Sequence, residues 1–152
     1  MKENPSIPHK KVAVAVIGNK NNEILIAKRL PGGSMGRMWE FPGGKIEADE
    51  TVVECIIREI QEELAITIAV KEHLISIEHT YKDFHITLIA YLCFIPPLPQ
   101  EVAAKNPEPK PLACSEIRWV KIDLLDRYQF PAANLAIIEA LKNYPQQQQL
   151  FV

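Results

Sequence analysis

The chain has 152 residues, 47% of them hydrophobic and 24% charged, with a formal net charge of −2. That length suits one domain, residues 1–152, with a sizeable core. The near-neutral balance argues against a basic nucleic-acid binder and against a stable nucleic-acid complex. No apolar run reaches the roughly 18 residues that span a membrane.

The three cysteines, Cys55, Cys93 and Cys114, show no metal-type clustering, which fits a reducing, cytoplasmic compartment. Met1 to Lys11 is polar and proline-containing, so no signal peptide is read there. Residues 1–9 read as a loose arm. Lys11 to Gly18 is β-rich and almost wholly apolar, the pattern of a strand buried on both faces. A turn at residues 19–22 leads to a second strand, Glu23 to Arg29, that pairs back on the first. Leu30 to Arg37 is a glycine-rich loop, either a connector or a flap over a ligand, without the Walker pattern. Met38 to Phe41 reads as a short strand entering the Pro42-Gly43-Gly44 turn. Glycine there lets the backbone come close to a phosphate or a metal.

A helix follows from Thr51, with Thr51 as N-cap and Glu54 completing a capping box. Its expected apolar stripe is Val53, Ile56, Ile57, Ile60 and Leu64, and Cys55 reads as a small packing residue. Ile68 to Tyr81 and Phe84 to Phe94 read as strands joined at Lys82-Asp83, the second of them central in a sheet. His79 and His85 flank that turn without the spaced partners of a zinc site, and read as surface residues. Pro96 to Leu112 is a proline-rich loop, a candidate lid or edge. Glu116 to Lys121 is a short strand and Ile122 to Tyr128 a helical turn. Ala133 to Asn143 is a final helix carrying Leu135, Ile138 and Leu141, and residues 145–152 form a polar tail.

The chemistry concentrates on the first helix. Glu59, Glu62 and Glu63 share one helix edge, because positions i, i+3 and i+4 are neighbours. Three carboxylates on one edge repel one another. A hard divalent cation, which takes oxygen ligands, turns that repulsion into attraction.

The spacing runs Gly44, five residues, Glu50, seven residues, then Arg58-Glu59-Ile60-Gln61-Glu62-Glu63-Leu64-Ala65-Ile66. It resembles the Nudix box, departing at one fixed position, Ala65, where the family has glycine. Glycine after a helix often takes a left-handed conformation that costs other residues roughly 1–2 kcal/mol, so Ala65 implies a slightly strained or differently closed helix end. Trp39 to Glu47, His85 to Leu88 and Phe130 to Asn134 also resemble segments of the Nudix branch that sanitises oxidised guanine nucleotides. Ser34 stands where that branch has histidine.

The resemblance implies an α/β (α+β) fold, an α/β/α sandwich with a mixed, curved β-sheet between helices. It implies a nucleoside triphosphate diphosphatase using Mg²⁺, with Mn²⁺ as substitute, that acts as a monomer on 8-oxo-dGTP to release 8-oxo-dGMP and pyrophosphate. Gly43, Glu59, Glu62 and Glu63 would hold the metal. Glu59, Glu62, Glu116 and Arg58 would serve catalysis, with Arg58 and Glu50 as the pair that orients the helix. Arg29, Glu40, Phe41, Pro42, Gly43 and Asn134 would line the substrate site. Asn134 either reads a purine edge or caps the last helix. Two rival readings are a pyrophosphohydrolase of CTP or methylated dCTP and a non-catalytic lesion-binding module.

Overall fold

The computed structural model describes residues 7–97 and 108–144. Most of the arm, the middle of the proline-rich loop and the tail lie outside them. The strands are β1 (His9–Gly18), β2 (Glu23–Lys28), β3 (Trp39–Glu40), β4 (Gly43–Lys45), β5 (Ala69–Thr80), β6 (His85–Phe94) and β7 (Glu116–Lys121). The α-helices are α1 (Val52–Leu64) and α2 (Leu135–Lys142), with 3₁₀ turns at Ile122–Arg127 and Ala132–Asn134. Among the described residues no helix is long and apolar enough to cross a membrane.

One mixed sheet runs β3-β2-β1-β6-β5, with β4 added on β1 and β7 on β2. β1 and β6 are parallel over their full length, from His9 opposite His85 to Gly18 opposite Phe94. The other pairings are antiparallel. β1 meets β2 only near the connecting turn, at Gly18 and Ile24. Farther along, β1 pairs with β4 at Val12 to Val14, whereas β2 pairs with β3 at Ala27 and Lys28. The two strands therefore diverge, and the Phe41-Pro42 link bridges the gap. Its Pro42 carbonyl accepts the Ala15 N–H at 2.8 Å.

The sheet has a core on each face, as a strand apolar on both sides requires. Ala13, Ala15, Ile17 and Leu25 pack under α1. Val14, Val16, Ile24 and Ile26 pack under α2 and its preceding turns. The architecture is thus the expected α/β/α layering of a mixed α+β chain around a curved, unclosed sheet.

α1 begins on the expected capping box: Thr51 Oγ1 accepts from Glu54 N–H at 3.1 Å, and Glu54 Oε1 accepts from Thr51 N–H at 2.9 Å. Its buried stripe differs from the expected one. Cys55, Ile56, Ile60 and Leu64 are buried, while Val53 and Ile57 are 36% and 38% exposed. The helix is rolled toward β4: Cys55 Sγ lies 3.6 and 3.5 Å from the carbonyls of Gly44 and Lys45. One turn on, the same roll carries Glu59 to Gly44. Ala65 is left-handed, at φ 58° and ψ 35°, so the expected strain is present. The chain returning from the proline-rich loop meets this end. Lys110 N–H donates to the Leu64 carbonyl at 2.9 Å and Leu112 N–H to that of Glu63 at 3.1 Å, satisfying carbonyls a helix end leaves open.

α2 buries Ile137, Ile138 and Leu141. Leu135, expected in its core stripe, is 53% exposed because the helix opens there and the packed face starts two residues later.

Candidate active site

β4 sets the site, and the reason for its glycines is space. A Cβ on Gly44 would lie 2.1 Å from the Glu59 carboxyl carbon, and one on Gly43 would lie 2.1 Å from the Ala13 carbonyl oxygen. The turn expected at Pro42-Gly43-Gly44 is thus confined to Pro42: Gly43 and Gly44 are extended in β4, because pairing with β1 takes their backbone, and the strand sits flush against both the carboxylate edge of α1 and the backbone of β1.

Arg58 gathers the acids around it. It grips Glu50 through two bonds, Nε to Oε2 at 2.6 Å and Nη2 to Oε1 at 3.0 Å. Its Nη1 reaches Glu59 at 2.9 Å and Glu62 at 3.2 Å. Its Nη2 also donates to the Lys45 carbonyl at 3.3 Å. This ties β4, the loop before the helix and α1 into one unit. The Arg58 hydrogen bond holds the Glu50 carboxyl down at about 2, and the same bond pushes the guanidinium up.

Glu63 goes the other way. Burial, followed by the hydrogen bond and charge of Glu59 and the charge of Glu40, pushes its carboxyl up to about 8. A backbone hydrogen bond at Gly43 opposes that rise. Burial raises the thiols of Cys55 and Cys93 to about 12, which suits the packing role.

Among the described residues no three His, Cys, Asp or Glu side chains are preassembled as a metal cage. Glu59 and Glu62 instead turn toward Arg58. The residues nevertheless fit a hard divalent cation. The donors are oxygen, the like charges crowd Glu63, and Gly44 leaves no side chain beside Glu59.

On the opposite face of the sheet lies a cleft of about 240 Å³ that opens at Gly43. Val12, Val14, Ile86 and Leu88 form its apolar floor. Phe41 stacks on Phe130 with ring centres 5.2 Å apart. Arg29 pairs with Glu40 at 2.8 Å, and the buried Arg29 Nε has no hydrogen-bond partner. Asn134 also lines the cleft. It occupies the position before α2 but makes no side-chain capping bond, so its amide is not used by the helix.

The structure thus brings together Arg29, Glu40, Phe41, Gly43 and Asn134 around one cleft, with Glu59 and Glu63 behind its Gly43 rim. Pro42 is buried in the bridging link, where its carbonyl binds Ala15. Glu116 stands apart from the cleft lining. It opens β7 opposite Lys28 and pairs with Arg118 at 2.5 Å. Sequence reasoning passed over Lys10, Tyr81 and Phe84, which also line the cleft. Their placement follows from the β1–β6 register and the β5–β6 hairpin, which no local pattern displays.

The profile of the NUDIX domain matches residues 13–140. The 8-oxo-dGTP diphosphatase of Escherichia coli K12 is 36% identical over 131 residues, covering 86% of this chain and 95% of that one. The CTP pyrophosphohydrolase of the same organism is 37% identical over 90 residues, covering 51% and 72%. Among solved structures, the MutT protein of methicillin-resistant Staphylococcus aureus 252 aligns with a TM-score of 0.69 at 30% identity, over 91% of this chain and 99% of that one. The glycines of β4, the arginine-bound acids of α1 and a profile match spanning most of the sequence agree: this chain belongs to the Nudix hydrolase family.

Proposed function

We propose that the chain hydrolyses an oxidised purine nucleoside triphosphate, 8-oxo-dGTP, to 8-oxo-dGMP and pyrophosphate in a Mg²⁺-dependent reaction, with Mn²⁺ able to substitute. The observation that carries this reading is the shared position of Gly43. It lines the cleft on one face of the sheet and adjoins the Glu59–Glu63 edge through Gly44. A nucleotide with its base and sugar in the cleft would present its phosphates to the acids.

Glu59, Glu62 and Glu63, with the Gly43 carbonyl, would hold the cation. When bound, it supplies neutralisation of phosphate charge and a more acidic water. Arg58 aims the acids from behind, since its bonds to Glu50 and Lys45 fix it to the loop and to β4. Glu59, lodged against Gly44, is the group to accept the proton of the attacking water as pyrophosphate departs. Glu116, engaged with Arg118, is less well placed for that task. Arg29 and Phe41 would grip the nucleotide, and Asn134 would meet the base with an amide that both donates and accepts.

The likeness to 8-oxo-dGTP diphosphatases over most of the chain supports the oxidised purine. The shorter likeness to a CTP pyrophosphohydrolase favours a second reading, a pyrimidine triphosphate in the same cleft. A panel of triphosphates assayed for pyrophosphate release with Mg²⁺ separates them. We expect 8-oxo-dGTP to lead the panel, and preference for CTP or methylated dCTP would overturn the purine assignment. Glu59→Gln should lower turnover by about 10³-fold with an unaltered melting curve. Undiminished turnover in that variant would remove Glu59 from the reaction.

A further inference from the structure

Lys10 carries a charge into the cleft at the end away from the acids. It sits on β1 four residues before Val14, the partner of Gly43. At about 3.3 Å per residue, that places it roughly 13 Å along the strand from Gly43. Its side chain is fixed by its neighbours. The ammonium lies 4.1 Å from the centre of the Phe84 ring, an attractive position for a cation. Phe84 packs on Tyr81 at 5.0 Å between ring centres. The Tyr81 hydroxyl accepts the Ala133 N–H at 2.8 Å, one residue before Asn134. A continuous chain of contacts thus sets Lys10 and Asn134 about one cleft, both lining it.

We propose that Lys10 is a specificity-determining residue that selects a 6-oxopurine or 4-oxopyrimidine over the corresponding amino base. An ammonium only donates hydrogen bonds, so it pairs with an oxo group and is opposed by an exocyclic amine. Asn134 cannot make this choice alone, because its amide both donates and accepts. The inference deepens the proposed function by naming what reads the base, and it is tested without turnover.

Calorimetric titration of dIMP and dAMP, which differ at the six-position and the adjacent ring nitrogen, and of dUMP and dCMP, reads the selection directly. Wild type should bind each oxo nucleotide about tenfold tighter than its amino counterpart. Lys10→Met should bring both ratios close to one, and Lys10→Arg, which keeps the donor, should retain them. Lys10 is exposed, and matching melting curves would verify that Lys10→Met folds. Wild-type ratios near one, or ratios that persist in Lys10→Met, would overturn the proposal, as would a uniform loss of affinity for all four nucleotides. Base-selective binding by a protein that hydrolyses no triphosphate would defeat the hydrolytic reading and leave the role of Lys10 standing.

Discussion

Gly43 and Gly44 are neighbours, yet a methyl group on each should fail differently. On Gly44 it would strike the end of a flexible side chain, the Glu59 carboxyl at 2.1 Å. That group can swing aside, so Gly44→Ala should fold normally and lose about 10²-fold in turnover through misplacement of one acid. On Gly43 it would strike a backbone oxygen, Ala13 O at 2.1 Å, which cannot move without parting β4 from β1. Gly43→Ala should therefore lower the melting temperature as well as the rate. Thermal melts beside pyrophosphate assays distinguish the two, and equal melting losses would contradict the distinction. At this scale the acids were legible, because Glu59, Glu62 and Glu63 are local in sequence. The arrangement of Arg58 was legible only in part. Its pairing with Glu50 was implied by the resemblance and its reach to Glu62 is an ordinary i, i+4 helix contact, whereas its bond to the Lys45 carbonyl depends on how β4 folds back on the helix.

Helix α1 is well begun and poorly ended. The capping box at Thr51 satisfies its first turn, while Ala65 holds a left-handed conformation at the other end. Ala65→Gly should relieve that strain. After the extra backbone freedom of glycine in the unfolded chain is subtracted, the net gain is roughly 0.5–1 kcal/mol, seen as a higher melting temperature. A lower melting temperature would show that the packing around the Ala65 methyl outweighs the strain. The loop before the helix is held by Glu50, whose carboxyl ionises at about 2 in the fold against 4.5 ordinarily. A depressed pKa means that the folded state binds its proton less readily than the unfolded chain does. The stability contributed by Glu50 is therefore complete above pH 4.5 and lost as pH falls toward 2. Glu50→Gln should flatten the fall in melting temperature across that window, and an unchanged slope would assign the acid sensitivity elsewhere. Capping box, strain and box spacing were all readable from sequence, since each is a local rule. The roll of α1 was not. Apolar periodicity gives a stripe without saying which flank meets β4, and so Val53 and Ile57 are exposed while Cys55 is buried.

For the whole molecule, every strand except β4, which its glycines disguised as a turn, was readable in the sequence, and the doubly apolar β1 already required a core on each face. The pairing order was not, because parallel neighbours leave no turn between them. β1 and β6 are separated in sequence by β2 to β5 and α1 and are adjacent in space. The cleft floor is built from both, Val12 and Val14 from one and Ile86 and Leu88 from the other. Lys10 enters the cleft through that same register, which is why inspection along the chain passed it over.

The β1–β6 pairing also bears on how the protein is made. A nascent chain has synthesised its most water-averse strand by residue 18, yet the strand's longest partner is complete only at Phe94. Until that much has left the ribosome, α1 can cover Ala13, Ala15 and Ile17, but Val14 and Val16 on the other face wait for partners from β6 and α2. Long-range closure of this kind slows folding and leaves sticky intermediates. The face of β1 that floors the cleft is thus the one left uncovered longest as the chain emerges.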